Sequence, residues 1–307
     1  MNKKIFIILV NYNGYKDTIE CIKSLKNLKY NNYKIIIVDN ASSDNSINEL
    51  NQYVSKNIIL LKSDKNIGFS GGNNIGIKYA LDNGADYILL LNNDTEVEPN
   101  FLEYMINAAE SDKNIGVVGC KIKYFSNKNL LWYAGGQVNW FKFRGEHFGY
   151  KEIDKGQYDT FNEISFMTGC CMLIKREVIE KVGMLPDEYF MYFEDDDFCV
   201  KVQEAGYKIV YEPKAVIYHK VGISGGGEES PFSIKWCTRN RIYFMNKYKY
   251  KVTKAKLVLS KLFFYTTRVI RVVQYYFKGD KNRAIAIIEG IKEGRKFVKE
   301  RELKCQM

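Results

Sequence analysis

The chain has 307 residues, of which 46% are hydrophobic and 27% charged, and its formal net charge is +10. These fractions are those of an ordinary globular protein. The positive charge is uneven, since residues 235–307 contain 20 Lys and Arg against 5 Asp and Glu, whereas residues 1–234 contain 26 against 31. Because the larger part is mildly acidic, the composition excludes a uniform nucleic-acid-binding protein, and we expect no nucleic-acid partner.

Seven cysteines occur, an odd number without a CxxC pair. Most of them lie in apolar stretches, which predicts buried free thiols in a reducing compartment rather than a disulfide or zinc framework. The N-terminal apolar run, residues 5–10, ends at Asn11 and is too short for the apolar region of a signal peptide. We therefore expect a cytoplasmic protein.

The first 125 residues alternate short apolar runs with helix-like segments, a pattern typical of a parallel α/β sheet. Continuous apolar runs predict strands that are covered on both faces. The predicted strands are 5–10, 34–38, 57–62, 87–91 and 115–122. Three helices are predicted in this part. The first contains Asp17, the second spans residues 73–81, and the third has Pro99 in its first turn.

The second part of the chain begins with an aromatic, glycine-rich stretch. Residues 125–165 have no clear period and predict a loop-and-strand insertion. Strands are predicted at 167–174, 207–211 and 215–219, with a helix reaching residue 182 and another at 195–205. From Trp236 onward the chain is predicted to be basic, aromatic helix.

Polar residues follow three of the predicted strands. Asn11, Tyr12 and Asn13 follow the first strand, Asp39 the second and Asp94 the fourth. Ligands of open α/β sheets bind beyond the carboxyl ends of the strands. Any one of these residues can instead begin an Asx turn, but three strand ends at one edge favour a binding site.

A glycine-rich segment, residues 66–76, precedes the helix predicted at residue 73. Glycines allow backbone N–H groups to approach an anion, and a helix N-terminus adds a favourable dipole. The segment is neither a Walker loop nor a dinucleotide fingerprint. The alternative is a tight loop that packs the helix against the sheet.

Asp94 and His219 are candidate metal ligands. Asp94 lies three residues after the end of a very apolar strand, and Mg²⁺ or Mn²⁺ is commonly held by one or two carboxylates together with substrate phosphates. Such an ion stabilises a leaving nucleoside diphosphate. His219 ends another apolar strand, where an isolated histidine is structural or completes a metal site through its neutral imidazole.

The densest acidic run of the chain is Glu194, Asp195, Asp196 and Asp197, and it follows the aromatic residues 189–193. Acids at a helix start are stabilised by the helix dipole, which is the alternative explanation. Four neighbouring carboxylates repel one another, however, and so indicate a further purpose. A carboxylate beside an apolar wall is suited to act as general base toward an acceptor hydroxyl.

Seven stretches carry a resemblance to a known family. They are VNYNG (10–14), VDNASSD (38–44), NIGFSGGNNIG (66–76), LNNDT (91–95), MTGC (167–170), FEDDDFC (193–199) and His219. In this order they resemble the family 2 glycosyltransferases of the GT-A fold, particularly the rhamnosyltransferase-like branch, over roughly residues 3–225. The resemblance implies a mixed α/β sheet flanked by helices, with a nucleotide-binding half at about 1–125, an acceptor half at about 126–234 and a helical extension at 235–307.

The resemblance also implies roles for individual residues. Asp94 matches the last acid of the family's Asp-x-Asp metal motif and His219 its distal metal ligand, while Asn92 stands where many members have the first Asp. Asp195 matches the base that deprotonates the acceptor for single-step displacement with inversion. Glu194, Asp197 and Arg239 are expected to be auxiliary or to contact the acceptor, and Arg239 is alternatively expected to contact the diphosphate. Asp39 is implied to contact the base or ribose of the donor. The expected nucleotide-sugar pocket comprises Asn11, Tyr12, Asn13, Asp39, Asn66, Gly68, Gly71 and Asn93.

The basic tail contains a long apolar stretch, residues 257–277, which is interrupted by Lys261, Arg268 and Arg271. Charges at mid-span argue against a transmembrane helix. A cationic helix with an aromatic face suits a membrane interface, which predicts contact through residues 250–300 with the inner face of the cell membrane. The alternative is a helical pair that packs on the catalytic domain or on another subunit.

Together these features predict an inverting glycosyltransferase assisted by Mg²⁺ or Mn²⁺. It is expected to transfer rhamnose or another hexose from a dTDP-, UDP- or GDP-linked donor to a glycan or lipid-linked acceptor in cell-surface polysaccharide or glycoconjugate synthesis. One alternative, a sugar-nucleotide nucleotidyltransferase, would carry a cationic glycine-rich loop after the first strand, and none is present there. The other alternative is an inactive glycan- or membrane-binding protein, and the presence of Asp39, Asp94, Asp195 and His219 together argues against it.

Overall fold

The computed structural model describes residues 3–221 and 229–304, which contain twelve β-strands and nine α-helices. The strands are β1 (Ile5–Asn11), β2 (Tyr33–Asp39), β3 (Ile58–Lys62), β4 (Tyr87–Leu91), β5 (Thr95–Val97), β6 (Ile115–Tyr124), β7 (Asn127–Tyr133), β8 (Gly136–Asn139), β9 (Arg144–His147), β10 (Asn162–Ile164), β11 (Cys171–Lys175) and β12 (Lys208–His219). The helices are α1 (Tyr15–Leu25), α2 (Ser46–Asn51), α3 (Gly68–Asp82), α4 (Phe101–Glu110), α5 (Arg176–Val182), α6 (Glu194–Glu204), α7 (Pro231–Lys247), α8 (Lys254–Phe277) and α9 (Lys281–Lys304).

Ten strands form one mixed sheet among the described residues. Its order is β10-β12-β6-β11-β4-β1-β2-β3, with β5 also paired to β12 and β7 to β6. The pairs β4–β1, β1–β2 and β2–β3 are parallel, whereas β11 lies antiparallel between β4 and β6. The carboxyl ends of β1, β2 and β4 therefore meet at one edge of the sheet.

The apolar runs of the sequence form the buried strands, as predicted. Side chains from Ile5 to Leu9 in β1 are fully buried, and β4 is buried along its whole length. Helix α1 covers the sheet with Cys21, Ile22 and Leu25 and leaves its other face polar. Burial on both faces explains why these strands show no alternation of polar and apolar residues.

The predicted strands 87–91 and 115–122 correspond to β4 and β6, and β11 lies between them in the sheet. The strands predicted at 207–211 and 215–219 are one strand, β12, whose register with β6 shifts between Glu212 and Val216. Pro213 lies in this shift, and because proline has no N–H group it interrupts a ladder of hydrogen bonds without ending the strand.

The helix predicted at residue 73 begins five residues earlier, at Gly68, so the expected glycine loop is itself helical. Its glycines face strand β1 closely. A Cβ atom on Gly72 would lie 2.8 Å from Val10 Cγ1, and one on Gly76 would lie 2.6 Å from Ile8 Cγ2. The glycines thus allow α3 to approach the sheet, which supports the packing interpretation of this segment.

Gly68→Ala is expected to lower the free energy of unfolding by more than about 3 kcal/mol. Gly68 has φ +78°, and an added Cβ would overlap the carbonyl group of Phe190. Gly84→Ala is the matched control, because Gly84 has φ +74° with nothing within 4 Å of the added Cβ, and about 1 kcal/mol is expected there. Urea denaturation of both variants measures the difference, and equal losses would contradict the proposed overlap.

The chain divides into two compact units. The first comprises Met1–Gln137, Glu146–Phe190 and Glu194–Ser224, and the second comprises Val138–Gly145, Met191–Phe193 and Gly225–Met307. In the second unit α7, α8 and α9 pack together around Ile234 and Ile287. Across the described ranges, none of the helices combines the length and apolar content needed to cross a membrane.

The cysteines of the described ranges are free thiols, as predicted. Five are buried and one is half-buried, namely Cys21, Cys120, Cys170, Cys171 and Cys199 in the first group and Cys237 in the second. Cys305 lies outside the described residues.

Candidate active site

Hydrogen bonds connect the ends of three strands at one edge of the sheet. The Asn11 side-chain amide donates to Asp39 Oδ1 at 2.8 Å, and the Thr18 hydroxyl donates to Asn11 Oδ1 at 2.9 Å. The Asn93 side-chain amide donates to the same Thr18 hydroxyl at 2.8 Å. This network brings together Asn11, Asp39 and Asn93, so the convergence of strand ends predicted from the sequence is confirmed.

The loop after β2 is shaped by Asp39, whose side chain is completely buried. Asp39 Oδ2 accepts from the backbone N–H of Ser42 at 3.0 Å, and Oδ1 accepts from the Ser42 hydroxyl at 2.6 Å. Asn13 holds the same loop, since its side-chain oxygen accepts from the N–H of Ser43 at 2.8 Å. Asp39 therefore stabilises the turn that follows β2, in keeping with the turn alternative considered from the sequence. A contact between Asp39 and a nucleotide stays a prediction. Tyr12, which lies between Asn11 and Asn13 in the sequence, is 44% exposed.

The N-terminus of α3 is tied to the end of β2 by Asn40. The Asn40 side-chain oxygen accepts from the N–H of Ile67 at 3.1 Å, and its amide donates to Asn66 Oδ1 at 3.1 Å. Asn66 Oδ1 also accepts from the N–H of Gly68 at 2.9 Å, and the N–H of Phe69 donates to the Phe190 carbonyl at 2.6 Å. The N–H groups of Gly68 and Phe69, the first two of this helix, therefore have hydrogen-bond partners within the protein. A nucleotide contact by Asn66, Gly68 or Gly71 stays a prediction.

Asp94 and His219 lie side by side although 125 positions separate them in the sequence. Strand β5 pairs antiparallel with β12 so that Thr95 is opposite His219. This pairing places His219 Nε2 at 3.1 Å from Asp94 Oδ1, with both side chains buried. Asn92, the residue that replaces the first acid of the metal motif, has its side-chain nitrogen 3.4 Å from the same ring nitrogen.

The Asp94–His219 pair is suited to a divalent cation that also binds phosphate. Burial acts to raise the pKa of Asp94, but the charge and hydrogen bond of His219, together with Lys220, hold it below its usual value. Asp94 is thus kept as a carboxylate, and a metal held by the pair would require His219 as the neutral imidazole. The described ranges hold no cluster of three or more His, Cys, Asp or Glu side chains arranged around a metal. Two protein ligands suit an ion whose other ligands are phosphate oxygens and water.

Asp195, in the first turn of α6, is the half-buried member of the acidic run. The N–H of Gly169 donates to its Oδ2 at 3.1 Å, and the N–H of Asp196 donates to its Oδ1 at 2.9 Å. Burial raises the pKa of Asp195, while these backbone hydrogen bonds oppose the change. The result is an oriented carboxylate with increased basicity.

The other three acids of the run are more deeply buried. Asp197 is fully buried and accepts a hydrogen bond of 2.7 Å from the Tyr189 hydroxyl. Glu194 is 5% exposed, and burial, followed by the charge of Asp195, raises the pKa of its carboxyl group well above the usual value. Asp195 is thus distinguished from the other three acids as the half-buried residue whose carboxylate is oriented by two backbone N–H groups.

The segment that follows Met167 connects Asp195 with the end of β4. Gly169 donates its N–H to Asp195, and the carbonyl of Cys170 accepts the N–H of Asn92 at 2.8 Å. A Cβ on Gly169 would lie 3.0 Å from the Phe69 ring, so this segment is also close to the start of α3. Asp195 and the turn that carries Asp94 therefore border the same short stretch of chain.

Trp132 and His147 are candidate site residues that the sequence pattern does not indicate. The Trp132 ring packs edge-to-face against His219 with centroids 4.7 Å apart and against His147 with centroids 4.8 Å apart. His147 Nδ1 lies 3.1 Å from the Trp132 carbonyl oxygen. Trp132 thus helps to orient the His219 ring. Both residues lie in the aperiodic stretch 125–165, where the sequence carried no signal beyond its aromatic content.

Arg239 belongs to the second unit. Its guanidinium group lies 3.9 Å from the centroid of the Phe297 ring and donates to Asn240 Oδ1 at 2.6 Å. The Asn240 amide donates to the carbonyl groups of Met191 and Tyr192, both at 2.8 Å. A contact of Arg239 with diphosphate or acceptor stays a prediction.

The mixed sheet flanked by helices agrees with the GT-A fold that the resemblance implies. Comparison with known proteins agrees, since the family model described as "Glycosyl transferase family 2" matches residues 6–183. The chain belongs to glycosyl transferase family 2. It is therefore a glycosyltransferase, as the sequence predicted.

Two named glycosyltransferases are similar to this chain over most of its length. It is 27% identical over 242 residues to the low-salt glycan biosynthesis hexosyltransferase Agl10 of Haloferax volcanii, covering 78% of this chain and 75% of that protein. It is 25% identical over 272 residues to the dTDP-rhamnosyl transferase RfbF of Shigella flexneri, covering 85% and 81%. Coverage differs among relatives: the chain spans 24% of the length of an uncharacterized protein of Sinorhizobium fredii to which it is 30% identical over 230 residues.

The fold is shared with a solved mannosyltransferase, PcManGT from Pyrobaculum calidifontis, determined in complex with GDP-Man and Mn²⁺. The TM-score is 0.60 at 12% sequence identity, and the match covers 95% of this chain and 87% of that protein. At this identity the likeness establishes the GT-A fold.

Proposed function

We propose that the chain is an inverting glycosyltransferase that moves a hexose, such as rhamnose, from a dTDP-, UDP- or GDP-linked donor to a glycan or lipid-linked acceptor. The hexosyltransferase and rhamnosyltransferase relatives support a hexose donor and a glycan product. The glycan biosynthesis relative also supports the proposed role in cell-surface polysaccharide or glycoconjugate synthesis. Residues 1–234 form the proposed catalytic domain and residues 235–307 its helical extension.

The observation that carries this proposal is the meeting of Asp94 with His219 beside the stretch of chain that orients Asp195. A transferase needs a site for the donor diphosphate and a base for the acceptor within one cleft. The Asp94–His219 pair suits the first requirement and the half-buried Asp195 suits the second. Asn11, Tyr12, Asn13 and Asn93 line the proposed nucleotide pocket at the same edge of the sheet.

In the proposed reaction Asp195 accepts the proton of the acceptor hydroxyl. The acceptor oxygen attacks the anomeric carbon as the bond between that carbon and the diphosphate oxygen breaks. One displacement of this kind inverts the configuration of the anomeric carbon. Its raised pKa suits Asp195 to this role, because a general base acts best when its pKa approaches the working pH.

Asp94 and His219 are the proposed ligands of Mg²⁺ or Mn²⁺, with the donor diphosphate completing the coordination. The ion would offset the negative charge that develops on the leaving nucleoside diphosphate. Trp132 restrains the His219 ring by edge-to-face packing, so that Nε2 stays directed toward Asp94. We also propose that the enzyme works at a membrane surface, where a lipid-linked acceptor would be presented.

A panel of dTDP-, UDP- and GDP-sugars tests the proposed function. With Mn²⁺ present, the wild-type protein is expected to release nucleoside diphosphate from one donor slowly, and faster when a lipid or glycan extract supplies the acceptor. EDTA is expected to abolish release. Absence of release together with absence of nucleotide binding for every donor would favour the inactive binding protein instead.

A further inference from the structure

Helix α8 is cationic and contains no acid. Its 24 residues include Lys254, Lys256, Lys261, Arg268 and Arg271, and no Asp or Glu occurs between residues 252 and 279. Lys254, Lys256 and Lys261 make no ion pair within the described ranges. The helix therefore carries positive charge that the rest of the second unit leaves unneutralised.

One face of α8 packs within the second unit. Ser260 and Phe264 are completely buried, and Val272 and Tyr275 pack against the cluster formed by Ile234 and Ile287. At 100° per residue these four positions lie on one side of the helix. This face explains how α8 is held in place but uses only a few of its apolar residues.

The opposite face of α8 is apolar and exposed. It carries nine large side chains that are 37% to 88% exposed: Val258, Leu259, Leu262, Phe263, Val269, Ile270, Val273, Tyr276 and Phe277. At 100° per residue they occupy one arc of about 140°, and the row is about 29 Å long at 1.5 Å per residue. We call these nine residues the α8 stripe. An exposed apolar surface of this extent marks an interaction site.

Lysines border the α8 stripe on both sides. On the helical projection Lys254 and Lys261 lie next to one edge and Lys256 lies next to the other. All three lysines lie in the first third of α8, so a second copy docked in parallel on the stripe would bring two unneutralised lysine clusters together, which is unfavourable. A partner with an apolar interior and a negatively charged surface layer is complementary to both the apolar stripe and the lysines that border it.

We propose that the α8 stripe is a docking surface for an anionic phospholipid bilayer. The helix lies in the plane of the interface, the stripe enters the boundary between headgroups and acyl chains, and the bordering lysines contact lipid phosphates. This inference deepens the proposed work at a membrane surface by naming the face and the lipid chemistry. It does not depend on sugar transfer.

Vesicle co-sedimentation of the full chain tests the proposal. The wild-type protein is expected to sediment with vesicles of phosphatidylcholine and phosphatidylglycerol, and much less with phosphatidylcholine alone. Leu262→Gln and Ile270→Gln are each expected to lower the partition constant roughly tenfold, because a large apolar side chain no longer leaves water. The matched control is Ile153→Gln, since Ile153 is 48% exposed and Ile270 50% exposed, and no change is expected there.

Two results would overturn the proposal. One is equal vesicle binding by the wild type, Leu262→Gln and Ile270→Gln proteins. The other is a wild-type dimer in light scattering that Ile270→Gln converts to a monomer without any vesicle binding, because a second copy would then cover the stripe. Nucleoside diphosphate release in vesicle-free buffer should be the same in all variants, so failure of the docking proposal is distinguishable from failure of the proposed reaction.

Discussion

Asp195→Asn is expected to lower kcat for sugar transfer by about 10²- to 10⁴-fold while leaving donor binding nearly unchanged. The amide preserves the size of the side chain and can still accept from the N–H of Gly169, but it cannot take a proton from the acceptor. Steady-state kinetics with the active donor, combined with calorimetric titration of the nucleotide, separates the two effects.

Asp197→Asn is the matched control on the same helix. Asp197 is fully buried and accepts from the Tyr189 hydroxyl, and an amide oxygen can accept that bond as well. We expect kcat within about threefold of the wild type, because only Asp195 is proposed to face the acceptor. A larger loss in Asp197→Asn than in Asp195→Asn would move the base to Asp197 and contradict the assignment.

The pH dependence of kcat is a second test of Asp195 as the general base. The base must be deprotonated, and burial raises the pKa of Asp195. Activity is therefore expected to fall as the pH drops through this raised pKa, at a higher pH than the value of about 4 that an exposed aspartate would give. An acid limb at the ordinary aspartate value would contradict the influence of burial.

Asp94→Ala and His219→Ala are expected to reduce kcat/KM by roughly 10²- to 10³-fold, since a metal at the leaving diphosphate contributes several kcal/mol to the transition state. Each variant should also weaken Mn²⁺ binding in the presence of nucleoside diphosphate by at least about tenfold. The loss of the free Mn²⁺ signal in electron paramagnetic resonance measures this affinity independently of turnover.

Asp82→Ala serves as the control for the metal variants, because Asp82 is an exposed carboxylate at the C-terminal end of α3. It should leave Mn²⁺ affinity and turnover as in the wild type. Full activity of Asp94→Ala in EDTA would show that Asp94 and His219 form a structural pair and that the diphosphate is neutralised by other groups.

Much of the candidate site was predictable because its residues follow buried strands. The apolar runs ending at Asn11, Asp39 and Asp94 indicated parallel strands, and parallel strands bring their carboxyl ends to one edge. The distance between Asp94 and His219 could not be read from this pattern. It depends on the pairing of β5 with β12, and an apolar run does not specify its neighbour in a sheet.

Two other features depended on contacts that local sequence does not reveal. Gly72 and Gly76 are poor helix formers, yet they lie in α3 because its close approach to β1 requires them. Trp132 lies in a stretch without periodicity, so its packing on His219 had no counterpart in the sequence pattern. In both cases tertiary contact overrides the local preference of the chain.

The stereochemistry of transfer tests the central claim most directly. With the donor identified in the nucleotide-sugar panel, proton NMR of the freshly formed product reports the configuration of the anomeric carbon. We expect a configuration opposite to that of the donor, because Asp195 is proposed as the base for a single displacement, with Asp94 and His219 assisting departure of the diphosphate. A product that retains the donor's configuration would contradict it.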